Sequence, residues 1–309
     1  MSARLRGIAR ETEQIVAAGT YRAPSGREVR LAEAVRAARD GTRLYGPEPV
    51  RVPERLLERA PERASPARTR IEVTGENSLE AARRLAEDAE PGEPHREPAV
   101  LNFASARNPG GGYLNGAQAQ EEALCRASAL HTCLLRAPGY YDHHRTHRDP
   151  FYSDRVIHSP AVPVFRDDRG RLLEEPFRAG FLTSPAPNAG VILRTAPERA
   201  GEVPGALAVR AERVLETAAA VGHRRLVLGA WGCGVFRNDP ARVAAAFRAL
   251  LEPGGRFAGA FEHVVFGILD RTRAGATRTA FDRTFADLLA DPAEVSSSRS
   301  APAAGDAPD

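Results

Sequence analysis

No lysine occurs among the 309 residues; all 43 residues in the Lys+Arg count are arginine. The bias points to GC-rich coding, but it has chemical consequences. It excludes a Walker-type phosphate lysine, a Schiff-base lysine and a lysine general base. Arginine is the better bidentate phosphate partner, so a polyanionic ligand is compatible with this chain. Cysteine is also scarce. Cys125, Cys133 and Cys233 are odd in number and widely spaced, which argues against a disulfide framework and a four-ligand zinc site. No signal peptide and no apolar run of about 18 residues is visible, so a soluble, cytoplasmic protein without a membrane partner is expected. The net charge of +3 is spread along the chain. No block of about five or six basic residues marks a nucleic-acid arm, so no specific nucleic-acid partner is expected.

What is present is glycine in two concentrated places. Asn108 to Glu122 reads Asn-Pro-Gly-Gly-Gly-Tyr-Leu-Asn-Gly-Ala-Gln-Ala-Gln-Glu-Glu. Gly110, Gly111 and Gly112 lack a Cβ, so this backbone can reach left-handed dihedrals and approach a ligand closely. Gln120, Glu121 and Glu122 then open an apolar-periodic stretch. The alternative is a surface turn leading into a helix whose acidic first turn suits the macrodipole. The second concentration is Gly229-Ala230-Trp231-Gly232-Cys233-Gly234-Val235-Phe236, between a buried strand and a helix. It is not GxGxxG and holds no lysine, so Rossmann and P-loop readings fail. Its backbone N–H groups suit a diphosphate.

Gly-Gly-Gly, seven residues, then Gln-Glu-Glu resembles the signature of the poly(ADP-ribose) glycohydrolases, a catalytic branch of the macrodomain fold. The preceding strand, Ala99 to Pro109, resembles the short bacterial form, and the likeness spans roughly Leu5 to Leu289. It implies that Glu122 is the catalytic acid and Glu121 a ligand for the terminal ribose hydroxyls. It implies a diphosphate over Gly232, Cys233, Gly234 and Val235, with Phe236 pressing on the ribose to be cleaved. The terminal ribose would lie at Gly110, Gly111 and Gly112. Asn108 and Gln120 are further substrate-binding candidates, although each is equally a capping residue. The implied reaction is hydrolysis of ribose–ribose O-glycosidic bonds, from chain ends, releasing ADP-ribose without a cofactor. ADP-ribosylated proteins would carry the substrate to a monomeric enzyme. A non-catalytic ADP-ribose reader and a mono-ADP-ribosyl hydrolase are the alternatives; intact Glu121 and Glu122 favour an enzyme.

The two acids pose an electrostatic conflict. A helix N-terminus lowers a carboxylate pKa, whereas a general acid needs a raised one. Desolvation, the neighbouring carboxylate and a substrate diphosphate all push upward and are expected to win.

Strands alternate with helices after residue 70, which predicts an α/β three-layer, macrodomain-like mixed sheet flanked by helices. Three regions are expected: an N-terminal helical accessory segment (1–69), a catalytic domain (70–290) and a disordered Pro/Ala/Ser-rich tail (291–309). Apolar spacing predicts a helix over Ala3–Ala18 stopped by Gly19, an extended pair from Tyr21 to Val29, and a helix from Leu31 to Ala38. Pro47 to Pro66 should wrap the surface. A strand is predicted at Arg70–Thr74, a helix from Leu79 to Ala89, a loop from Asp88 to Pro98 and a buried strand from Ala99. One helix is predicted over Gln118–Arg136, then a polar loop from Tyr140 to His158. Its histidines His143, His144, His147 and His158 lack a zincin pattern, so no metal is expected. Strands are predicted at Val156–Pro160, Ala161–Arg166, Phe177–Pro185, Arg225–Ala230 and Phe261–Ile268. Helices are predicted at Val203–Val221, Asp239–Leu251 and Phe281–Leu289. Asn102 and Phe103 should point to opposite strand faces, so at most one meets the ligand. Tyr140, Tyr141 and Phe151 are candidates for stacking on adenine.

Overall fold

The computed structural model describes residues 2–54, 69–88 and 97–289. The tail from 291 and most of the predicted Pro-rich wrap and 88–98 loop lie outside these residues. Helix α1 (Ala3–Ala18) starts at Ser2, whose hydroxyl accepts from Leu5 N, and ends at Gly19 with φ 69°. Strands β1 (Thr20–Arg22) and β2 (Glu28–Arg30) form a small antiparallel pair, followed by α2 (Ala32–Gly41).

The main sheet has seven strands: β3 (Arg43–Tyr45), β4 (Arg70–Thr74), β5 (Ala99–Phe103), β6 (Val156–Arg166), β7 (Leu172–Ser184), β8 (Arg225–Gly229) and β9 (His263–Gly267). Their order is β3-β6-β7-β5-β8-β9-β4. From β7 to β4 the neighbours are parallel, and β6 and β3 add antiparallel pairs at one edge. The N-terminal segment therefore contributes an edge strand, β3, to the main sheet.

Alternation along the strands builds the layers. Leu226, Leu228, Val264 and Phe266 face one core with helices α7 (Ala189–Thr195), α8 (Val203–Ala220), α9 (Pro240–Leu251) and α10 (Ala276–Phe285). Val100, Val227 and Val265 face the other with α1, α2, α3 (Ser78–Glu87) and α4 (Gln120–Ala127). The predicted three-layer α/β mixed sheet is thus what forms. Asn77 caps α3, and Glu80 reaches back to the Asn77 N–H to close a capping box.

Four expectations need correction. The helix from Gln118 to Arg136 is two, α4 and α5 (Leu130–Leu134), because Ser128 takes extended dihedrals and bridges Val164 of β6. Its hydroxyl donates to Leu124 O and accepts from Leu130 N, satisfying both helix ends. The predicted polar loop begins as helix α6 (Pro138–Thr146), with Pro138 in the first turn and Tyr140, Tyr141 and His144 buried. The strands on either side of Pro160 are one strand, β6, with a register irregularity between Ser159 and Val162, where Ala161 has φ 48°. The last helix starts earlier, at Ala276, and stops at Phe285.

Candidate active site

The β5–α4 connection carries the first glycine cluster. Gly110 and Gly111 have φ 68° and 59°, in the left-handed region. An added Cβ on Gly111 would lie 2.5 Å from Glu122 Oε1 and 3.2 Å from Glu121 Oε2. Both acids therefore point at the same bare stretch of backbone. Glu122 Oε1 accepts from Gly112 N at 2.9 Å, and Oε2 accepts from Ala119 N at 3.0 Å. Ala119 occupies the N-cap position of α4 and has no side-chain acceptor, so the acid itself closes the helix end.

Glu121 is held from the β5 side. Its Oε2 accepts from Ser105 N at 2.7 Å and its Oε1 from Asn102 Nδ2 at 3.3 Å. It is 3% exposed. Burial pushes its carboxyl up to about 8, reinforced by the Glu122 carboxylate and opposed by the Ser105 N–H and the Asn102 amide. Burial thus outweighs the opposing hydrogen bonds at Glu121, the ribose ligand rather than the residue expected to act as the acid.

Strand alternation holds at Asn102 and Phe103. Asn102 is wholly buried against Glu121 and Thr183, whereas Phe103 lines a cleft of about 790 Å³. Its lining includes Gln118, Ala119 and Gln120 of the first connection and Ala230, Cys233 and Gly234 of the second. Residues from both connections thus line one cavity, but Gly110, Gly111, Gly112, both acids, Gly232, Val235 and Phe236 are not among its lining residues. Gln120 lines it, but its amide is engaged within the protein: Oε1 accepts from Phe103 N, and Nε2 donates to Leu101 O and Ser78 Oγ. Asn108 is exposed, and its carbonyl accepts from Gly111 N.

Gly232 has φ 70°, and a Cβ there would lie 2.5 Å from both Ala186 Cβ and Asn238 Nδ2. Asn238 ties the loop down by donating to Pro187 O and Gly232 O. Beyond Gly232 the loop opens: nothing lies within 4 Å of a Cβ at Gly234, and Val235 is 84% exposed. Among the described residues, the N–H groups of Gly232, Gly234, Val235 and Phe236 have no hydrogen-bond partner. Open N–H groups on an exposed glycine turn form a concavity for an anion. Cys233 also lines the cleft, and burial pushes its thiol up to about 12, so it remains protonated.

The adenine-stacking candidates fare differently. Tyr140 and Tyr141 are wholly buried and Phe151 nearly so, and none of the three lines the cleft. Burial removes them from contact with a base. His143 and His147 stack with ring centroids 4.2 Å apart, and no cluster of three metal-ligating side chains exists among the described residues.

Two features escape a reading of the sequence. Glu13 of α1 accepts from the Tyr113 hydroxyl at 3.0 Å and pairs with His131 Nδ1 at 3.1 Å. His131 Cδ2 in turn would lie 3.2 Å from a Cβ on Gly110. The accessory helix thus braces the triple-glycine turn from behind. The second feature is Tyr152, whose ring lies 5.8 Å from that of Phe236. Both depend on contacts between distant stretches, which local patterning does not encode.

Comparison with known proteins gives the family. The family model for the catalytic domain of microbial-type PARG matches residues 9–167. The poly(ADP-ribose) glycohydrolase of Thermomonospora curvata is 53% identical, with a TM-score of 0.82, over 92% of this chain and 100% of that one. The chain belongs to the microbial-type poly(ADP-ribose) glycohydrolase family. The Thermomonospora enzyme bound to the inhibitor ADP-HPD is 52% identical, with a TM-score of 0.80, over 92% of this chain and 100% of that one. The Deinococcus radiodurans glycohydrolase in complex with ADP-ribose is 45% identical, with a TM-score of 0.73, over 85% of this chain and 100% of that one. No curated protein sequence matches the chain.

Proposed function

We propose that this protein is a poly(ADP-ribose) glycohydrolase that hydrolyses the ribose–ribose O-glycosidic bond and releases ADP-ribose. The observation that carries this reading is the convergence of Glu121 and Glu122 on Gly111, at a loop whose Gln118, Ala119 and Gln120 line the same cleft as Cys233 and Gly234 of the open turn. The diphosphate seats on the free N–H groups of that turn. Phe236 presses on the terminal ribose, and Gly110 to Gly112 let the backbone approach it. Glu121 binds its hydroxyls.

The acids are adjacent and share one wall, so they cannot flank a glycosidic bond as in the usual two-carboxylate layout. One acid therefore makes both proton transfers. Burial pushes the Glu121 carboxyl up toward its protonated form. Glu122, whose Oε1 is the nearer oxygen to Gly111, is the acid that acts on the substrate. Glu122 protonates the leaving 2′-oxygen as the C1″–O2′ bond breaks. The ribosyl cation faces the substrate's own diphosphate. The Glu122 carboxylate then takes a proton from the water that attacks C1″, which restores the acid.

We also infer action from chain ends. The family likeness supports it, and Arg4, Leu5 and Ile8 of α1 and the Asp167–Gly170 turn line the cleft. Arg4 donates there to Arg169 O at 3.3 Å. We take the enzyme to be cytoplasmic and monomeric, acting on ADP-ribosylated carrier proteins; its three free cysteines suit a reducing compartment.

The test is incubation with poly(ADP-ribose) and chromatography for free ADP-ribose. The parent should release it. Glu122→Gln should lose about a hundredfold or more in kcat, with ADP-ribose affinity changed only a few-fold. A fully active Glu122→Gln would refute the assignment, and binding without turnover in the parent would make the protein a reader.

A further inference from the structure

The segment between α6 and β6 is held in a conformation that its sequence does not favour. Tyr152 has φ 60°, a region that bulky L-residues avoid. Such a conformation persists only where the surroundings impose it. Here they do so on every side. Tyr152 N donates to Asp149 O, and Asn188 N donates to Pro150 O. The Ser153 hydroxyl meets His144 Nε2 at 2.8 Å, and Arg210 binds Asp154 at 2.9 Å. Arg210 is itself buried and donates to Pro185 O, which fixes the segment to the end of β7.

The result is a fixed position for one ring. The Tyr152 ring lies with its centroid 5.8 Å from that of Phe236 at 40° and 5.8 Å from that of His144 at 87°. His144 is itself anchored. Its Nδ1–H donates to Tyr140 O, leaving Nε2 to accept from Ser153, and its carbonyl accepts from Arg107 at 3.3 Å. Arg107 immediately precedes Asn108 and the triple glycine. A continuous path therefore runs from the acid-bearing loop through His144 and Tyr152 to Phe236.

Phe236 needs such support. Its loop is open to solvent at Gly234 and Val235, and the ring is only half buried. A phenylalanine on an open turn has other staggered rotamers available unless a neighbour blocks them. We propose that Tyr152 is a positioning residue for the glycohydrolase reaction: its ring, packed against His144 and Phe236, fixes the Phe236 ring in the pose that orients the terminal ribose. This inference rests on the proposed function, because it takes Phe236 to be the residue that meets the ribose. The phenol hydroxyl has no hydrogen-bond partner among the described residues, so the ring and not the oxygen carries the role.

The experiment measures kcat and KM for ADP-ribose release from poly(ADP-ribose) by the full chain. It compares the parent with Tyr152→Phe, Tyr152→Ala, Tyr152→Leu, Phe236→Ala and the Tyr152→Ala/Phe236→Ala double variant. Tyr152→Phe should match the parent. Tyr152→Ala should lose about tenfold or more in kcat with KM within about threefold, since the diphosphate seat is untouched. Tyr152→Leu keeps apolar bulk without a planar face and should fall with Ala; it stands in for Ala should that variant not fold. The double variant should be no slower than Phe236→Ala alone, because the two rings act as one unit. Parent-like kcat in Tyr152→Ala or Tyr152→Leu, multiplicative losses in the double variant, or a damaged Tyr152→Phe would each overturn the inference while leaving the glycohydrolase reading intact. An inactive parent would remove both.

Discussion

At the scale of single residues, the site is built from what is missing at Gly111. With φ 59° and carboxylate oxygens 2.5 and 3.2 Å from the position of its absent Cβ, only glycine fits without strain. Gly111→Ala should place a methyl against Glu122 Oε1 and add about 1–2 kcal/mol of left-handed strain. Rotation of the acid away from the ribose should lower kcat about a hundredfold, since misplacement of about 1 Å has that effect. Steady-state kinetics and Tm check the two consequences separately. Glu121 gives a prediction in pH. Its carboxyl sits near 8 in the fold because of burial, against an ordinary value of 4.5. The folded state therefore holds a proton that the unfolded chain releases. This contribution to stability is fully present below pH 4.5 and is lost as pH rises to about 8. Glu121→Gln is neutral and nearly isosteric. It should flatten the decline in Tm between pH 5.5 and 8.5, worth on the order of 1–3 kcal/mol, while removing most activity. An unchanged slope would mean that the proton resides elsewhere.

At the scale of elements, the accessory helix is a structural part of the site. Thr12 of α1 is wholly buried; its hydroxyl donates to Arg126 O at 2.7 Å and accepts from Arg166 Nε at 3.1 Å. Arg126 belongs to the acid-bearing helix α4, and its side chain donates to Ala117 O ahead of that helix. Thr12→Val keeps the shape but strands a carbonyl and a guanidinium N–H. It should cost about 1–3 kcal/mol, read as a fall in Tm, with a smaller loss of kcat through α4. Most elements are legible in the residue pattern alone. The 3.6-residue spacing of Leu5, Ala9, Thr12 and Ile15, or the run Leu226-Val227-Leu228, specifies type and buried face together. The break at Ser128 is not legible there, because apolar residues continue on both sides and the decisive contact is a bridge to Val164, 36 positions away. Helix α6 is hidden for the opposite reason: its buried face is made of Tyr140, Tyr141 and His144, which read as polar. In the site, the glycine turns and paired acids announce themselves by residue type. Glu13 and Tyr152 do not, because their meaning lies in what they touch.

At the scale of the whole molecule, the sheet separates two buried titratable sites that work in opposite directions. The acids sit beyond the C-terminal ends of β5 and β8, where parallel sheets place ligands. At the far end, His158 of β6 and His223 ahead of β8 face each other with Nε2 atoms 3.0 Å apart. His223 Nδ1 lies 3.3 Å from Glu97 O, so its N–H donates there and its Nε2 accepts from His158. A further proton would set two N–H groups against each other in a buried space, where a Cβ on Gly180 would lie 2.5 Å from the His223 ring. Burial pushes His158 down to about 3, and the neighbouring His223 adds to the shift. Burial likewise holds His144 at about 4, against its hydrogen bond to Tyr140 O. For a base with a lowered folded pKa the sign is the reverse of Glu121. The unfolded chain takes up protons first, so stability falls as pH drops from 6.5 toward the folded values. Stability should therefore peak where these opposing losses balance, below the pH at which Glu121 ionises. His158→Gln removes one of the proton-excluding groups. Its Tm should fall less steeply than the parent's between pH 6.5 and 4.5, the difference reaching at most about 1.4 kcal/mol per pH unit, while ADP-ribose release at pH 7 stays near the parent rate. Parallel acid limbs in the two proteins would show that the histidine pair takes up its proton without cost to the fold.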